Sequence, residues 1–305
     1  MTVMTHLENL DHRLRGGEHL AEINGFDLHY TVRGSGPVLL LPAPGSGPSV
    51  GYLIPLTVLE RHCTVVYFDT RHSGSSSGPD DPAQYTLDHF VADLDALRVY
   101  LGVERVFVAG HSGGGHQALA YGIAHGEHLL GLIAIDAIVA PDALRMVELL
   151  RRIEAKRREP FYRSHPTYID DALALMTGSD APSPGRLLEA TGALYFHSPE
   201  RAAAVFATME FDDQVLEYTQ ASGFQNKNLL PELAQVTAPT LLVYGADDFH
   251  CDPITQGARA HALMPTSRLE VIPEAGHLPW LEQPAPFATA CARWFASLPA
   301  ESRPA

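Results

Sequence analysis

The sequence predicts an α/β fold: a mostly parallel twisted sheet with flanking helices, interrupted once by an inserted helical lid. Short, solidly apolar runs recur at Val38 to Leu41, Val65 to Phe68, Val106 to Ala109, Leu132 to Ile135, Leu241 to Tyr244 and Leu269 to Ile272. Such runs are what strands buried on both faces require. Helical patterns separate them, as over 87–101, where Phe90, Leu94, Leu97 and Leu101 fall on one face. Alternation of this kind builds a parallel sheet. From about Pro141 to Val236 it stops, and the chain becomes helical, charged and proline-punctuated with no buried-strand signal.

The elements follow in order. His19 to Glu22 and Phe26 to Val32 flank Asn24-Gly25, a dipeptide favoured in tight turns, so the chain opens with an antiparallel hairpin. Residues 1–140 and 237–305 form the expected core, and 141–236 the lid. The lid carries a basic helix (Arg151, Arg152, Lys156, Arg157, Arg158) and a helical stretch expected to be capped by Ser198 and started by Pro199. Ala238-Pro239-Thr240 leads back into the core, and the tail after Ala296 is expected to fray.

At 305 residues, 46% hydrophobic and 19% charged, the chain can bury one sizeable core plus an insertion. Its formal charge of −15 repels phosphate backbones and anionic lipid, which argues against nucleic acid as a partner. Cys63, Cys251 and Cys291 are odd in number and lack paired short spacing, as expected of reduced thiols in a cytoplasmic protein rather than of disulfides or a zinc site. Charged residues interrupt 1–18, and Asp136 and Pro141 interrupt 129–144, so neither an export signal nor a membrane span is expected.

The strongest local signal is Gly110-His111-Ser112-Gly113-Gly114, a G-x-S-x-G set between an apolar strand and a helix-like stretch. Glycines flank the serine because a Cβ there would clash in so tight a strand-to-helix turn. Ser112 is thereby presented as a nucleophile at a helix N-terminus, where the Gly113 N–H and the helix dipole can stabilise an oxyanion. A phosphate loop would want a nearby lysine or arginine, and none is there.

A serine nucleophile needs a general base, and the base needs a carboxylate to hold its tautomer. His277, in the turn after Leu269 to Ile272, is placed to reach the sheet's C-terminal edge. Its neighbour-in-sequence rival His111 is expected to point away from the pocket, since extended residues alternate faces. His72, His116 and His250 have only proximity in their favour. For the acid, Asp247 and Asp248 follow strand Leu241 to Tyr244, and Asp136 ends an earlier strand.

Together these pieces, in the order Ser, Asp, His, resemble the α/β-hydrolase superfamily, most closely its proline iminopeptidase-like branch. The resemblance places the acid three residues after Gly245, at Asp248. It extends to Asp69-Thr70-Arg71-His72-Ser73-Gly74-Ser75-Ser76, with His72 where glycine is usual, and to Cys251 just after the acid. After the first parallel strand the family has His-Gly-Gly-Pro-Gly, whereas this chain has Leu41-Pro42-Ala43-Pro44-Gly45. In that register Ala43 supplies the second oxyanion N–H; a slip by one would put Pro44, which has no N–H, at the donor position and leave Gly45 to serve. The lid lacks the family's tryptophan-rich motif, though Glu210, Asp213 and Glu217, spaced for one helical face, could receive an ammonium group.

What the resemblance implies is a serine hydrolase acting on a small acyl compound, an ester, lactone, thioester or short amide, with no metal or organic cofactor. Aminopeptidase action, acyl transfer or rearrangement, and ligand reception on the same scaffold are the alternatives. Epoxide and haloalkane hydrolysis would need aspartate at position 112.

Overall fold

The computed structural model describes residues 12–177, 187 and 190–302. One eight-stranded sheet runs in the order β1-β2-β4-β3-β5-β6-β7-β8. Its strands are β1 (Gly17–Ile23), β2 (Phe26–Gly34), β3 (Val38–Pro42), β4 (Thr64–Phe68), β5 (Val106–His111), β6 (Leu129–Ile135), β7 (Thr240–Gly245) and β8 (Ser267–Ile272). Every predicted apolar run is a strand. The β1–β2 hairpin turns on Asn24 (φ 50°) and Gly25 (φ 85°), both left-handed, as a two-residue turn between twisted strands demands. β2 is antiparallel to β4, and all later neighbours are parallel.

β3, β5 and β7 are buried at every position because both faces are covered. Leu40, Val108, Leu132 and Leu242 enter one core, and Leu39, Phe107, Ile133 and Leu241 the other. β8 departs from the expected two-faced burial: it is the edge strand, with a neighbour on one side only, and Arg268 and Val271 are exposed. Helix α1 (Leu87–Tyr100) buries Phe90, Leu94 and Leu97 on one face, and α2 (Gly113–Ala124) packs on β5, β6 and α1.

Between β6 and β7 lie α3 (Ala143–Lys156), α4 (Tyr168–Thr177) and α5 (Asp213–Ser222), joined by short helical turns. The carboxylates of Asp142 and Asp212 cap α3 and α5 by accepting from the Arg145 and Gln214 N–H groups. Among the described residues of this segment the extended pairing is a single bridge, Phe211 with Pro48. Pro199 does start a helical turn, but Ser198 does not cap it with its side chain. The turn is only three residues long, and the Ser198 N–H is instead held by Glu282 Oε1 at 3.0 Å.

The tail does not fray where expected. Helix α6 (Pro284–Ser297) buries Phe287, Trp294 and Phe295, and Leu298 extends that apolar face into the core. Residues 303–305, and 1–11 of the segment read for an export signal, lie outside the described residues. Among the described residues no helix is long and apolar enough to cross a membrane, and all three cysteines are free and buried.

Candidate active site

The C-terminal ends of β3, β5 and β7 and the loop after β8 meet at one cavity of about 280 Å³. β5 delivers Ser112 to it at φ 55°, ψ −117°, a conformation that L-residues adopt at a cost of about 1–3 kcal/mol. A Cβ on Gly110 would overlap the Gly114 carbonyl, so only glycine lets strand and helix turn so closely. The Ser112 N–H is tied to the Ile135 carbonyl at 2.9 Å. Its Oγ makes no hydrogen bond among the described residues and sits on the cavity wall. Gly113 opens α2, so its N–H belongs to the first-turn donors that a helix leaves unpaired.

His277 reaches the same cavity from the β8 loop. Its Nδ1 lies 2.7 Å from Asp248 Oδ2, and a carboxylate only accepts, so Nδ1 carries the proton and Nε2 is left basic. The loop is pinned at its backbone too: the His277 N–H donates to the Tyr195 carbonyl at 2.7 Å. A Cβ on Gly245 would overlap the Gly276 carbonyl, and one on Gly276 the Tyr195 carbonyl, so the three loops meet only because both are glycine. Burial opposes ionisation of Asp248, but the adjacent His277 and its hydrogen bond outweigh that and hold the carboxyl well below the usual range.

The other two candidate acids sit differently. Asp247 is 44% exposed and pairs with His197 Nδ1 at 2.6 Å. Asp136, at a left-handed φ of 42°, accepts the Gly245 N–H with Oδ1 at 2.8 Å, and its carboxyl, when protonated, can donate to Asp248. Burial and then the charge of Asp248 push its carboxyl well above the usual range, so it keeps its proton.

His111 is a correction. It was expected to point away from the pocket, yet it lines the cavity with its ring centroid 4.4 Å from that of His277. Alternation does hold along β5, placing His111 on the face of Phe107 and Ala109; the loop carrying His277 folds onto that same face. His111 Nε2 must donate to the His277 carbonyl (2.8 Å), so Nδ1 accepts from the Tyr52 hydroxyl (2.7 Å) and the ring is neutral. Burial and the neighbouring His277 push its pKa well below the ordinary value. His250 also lines the cavity, 5.6 Å from His277 between ring centroids. His116 is buried against the Ile138 carbonyl (2.9 Å) and lowered by burial to about 4. His72, at a left-handed φ of 49° that accounts for the family's glycine, bonds the Tyr85 hydroxyl.

Ala43 is the second correction. Its N–H donates to the Phe68 carbonyl at 2.9 Å, prolonging the β3–β4 ladder, and is not free for an oxyanion. Pro44 follows with no N–H. Gly45 is buried, and the direction a side chain would take from it meets Phe90, Gln117 and Phe224, none of them a cavity residue. The 69–76 motif braces this loop, since Asp69 Oδ1 accepts the Val50 N–H (2.8 Å) and Arg71 forks onto the buried Asp93.

The segment between β6 and β7 supplies the cavity's apolar roof, with Tyr195, Phe206, Met209, Phe211 and Leu216, together with the amides of Gln220 and Gln225. No aspartate, glutamate, lysine or arginine lines it among the described residues. Glu210, Asp213 and Glu217 are exposed, and Glu210 precedes α5, so the three neither share a helical face nor face the cavity. Among the described residues, the group of His, Cys and acidic side chains near enough to hold a metal is Asp248, Cys251 and His277. Two of these already bond each other, and burial and Asp248 push the Cys251 thiol well up.

A proline iminopeptidase of Saccharolobus solfataricus is 36% identical over 120 residues, a match covering 39% of this chain and 39% of that protein. A putative carbamate hydrolase of Pseudomonas savastanoi is 27% identical over 262 residues, 86% of this chain and 94% of its own. The fold is shared with a proline iminopeptidase-related protein of Thermus thermophilus, at 24% identity and a TM-score of 0.69 over 93% of this chain and 98% of that one. The model of the alpha/beta hydrolase family matches residues 38–290, and this chain belongs to that family.

Proposed function

We propose that the chain is a serine hydrolase cleaving a small, uncharged acyl compound, an ester, lactone, thioester or short amide, inside a cavity roofed by 141–236 as a lid. Ser112 Oγ attacks the carbonyl carbon while His277 Nε2 takes its proton, and Asp248 holds the imidazole and offsets the charge it gains. The carbonyl electron pair moves to oxygen beside the Gly113 N–H; collapse expels the leaving group, which takes the proton back. Water then repeats the sequence on the acyl-enzyme. The three unpaired, buried thiols fit a reducing, cytoplasmic setting.

The observation that carries the reading is the wall: among the described residues, Ser112 and His277 share a cavity with side chains none of which is an aspartate, glutamate, lysine or arginine. A free-amine substrate would want a carboxylate there, which weighs against aminopeptidase action despite the names of the relatives. The test is labelling with a fluorophosphonate, followed by mass, beside turnover of short nitrophenyl esters and aminoacyl nitroanilides. Ester turnover with label on Ser112, both lost in Ser112→Ala with kcat down by about 10⁶-fold, is expected. Turnover confined to free-amine nitroanilides would move the assignment to aminopeptidase, and an unlabelled, inactive wild type would sink the hydrolase reading.

A further inference from the structure

The serine-hydrolase reading needs a second oxyanion donor, and the loop after β3 does not offer the expected one. Gly113 provides one backbone N–H, but Ala43 is spent on Phe68 and Pro44 has none; beyond Pro44, Gly45 does not line the cavity, whereas Ser46 does, so the Ser46 N–H is the rival to any donor from elsewhere. We infer that the lid supplies the second donor, the side-chain amide of Gln225, so that the catalytic constellation is completed by a residue outside the sheet.

Gln225 lines the cavity, half-buried, and its amide has no hydrogen-bond partner among the described residues. A methyl group placed on Gly113 would overlap the Pro44 carbonyl and come within 3.1 Å of Gln225 Nε2. The amide therefore hangs beside the very residue that offers the first donor, next to Ser112. Its position is anchored from behind: Phe224 is buried in the core against Phe90, at 4.7 Å between ring centroids, and against His116. The turn itself starts at Gly223, left-handed at φ 69°. A substrate carbonyl held over Ser112 would point its oxygen between the Gly113 N–H and the Gln225 NH₂. As the Ser112 Oγ–carbon bond forms and the π pair moves to that oxygen, both donors strengthen their hydrogen bonds, and neither gives up its proton.

The inference rests on the proposed chemistry at Ser112, and the experiment separates the two. Gln225→Ala and Gln225→Leu are assayed on a nitrophenyl ester with wild type, and all are titrated with phenylboronic acid, which becomes tetrahedral on the serine. Both variants should melt with wild type, lose about 10²-fold in kcat with KM within a few-fold, and lose boronate affinity in step. A kcat within threefold of wild type, a rise in KM alone, or a loss that follows Ser46→Ala on the facing loop instead would overturn it. Wild type that neither turns over ester nor takes fluorophosphonate would mean that the hydrolase reading itself has failed.

Discussion

The ends of β6 and β7 each bury a carboxyl group completely, and they hold it in opposite charge states. Asp248 at the end of β7 faces a histidine and accepts the His250 N–H as well, so a negative charge is compensated there. Asp136 at the end of β6 has one N–H from Gly245 and the Asp248 carboxylate beside it, to which only its protonated form can donate. Two identical side chains on adjacent strands thus differ because two neighbouring buried carboxylates cannot both ionise, and only one has a cation former within reach. Position along the strand does not distinguish them; the partner does.

The largest effect that would sharpen the contrast is Asp248→Asn. With the imidazole free to take the wrong tautomer, kcat on an active ester should fall by about 10⁴-fold, and a loss below tenfold would mean that Asp136 can take over the role. Asp136→Asn should instead leave kcat within about threefold, since the group is already neutral and an amide can still accept from Gly245. Its signature lies in stability. Unfolded aspartate ionises above about pH 4, while folded Asp136 keeps its proton, so wild-type stability falls as pH rises toward the raised folded pKa. The melting temperature of Asp136→Asn should therefore gain on wild type between pH 4.5 and pH 7, and a constant difference would refute the protonated state. Asp248 works with the opposite sign: its contribution is present above pH 4 and lost as pH falls through its depressed pKa. The smallest effect belongs to Asp247→Asn, whose exposed pair with His197 should be worth less than about 1 kcal/mol by urea unfolding and leave kcat unchanged.

Much of this site is legible in the amino-acid sequence, wherever the cause is local. Gly110 announces a strained turn because a Cβ there would overlap the Gly114 carbonyl, and Asn24-Gly25 announces a hairpin because both residues must be left-handed. His111 shows where legibility stops: alternation assigns it a face of β5 but says nothing of the loop that folds onto that face 166 residues later in the chain. Glu210, Asp213 and Glu217 fail for a related reason, since periodicity supposes one helix and α5 begins only at Asp213. Gln225 carried no signal at all, because an amide in a turn between β6 and β7 has no pattern to mark it.

By itself the sequence determined the strands and their order of charge-bearing ends, the presentation of a serine by flanking glycines, and the absence of an N–H at Pro44, because each follows from residues in covalent succession. The tertiary structure alone decided which N–H groups remain free and which aspartate is ionised. Ala43 loses its N–H to Phe68 through the register of β3 against β4, and Asp248 gains its charge from a histidine on another strand's loop. Hydrogen bonds and charges are settled by what stands within about 3 Å in space, and distant segments supply it.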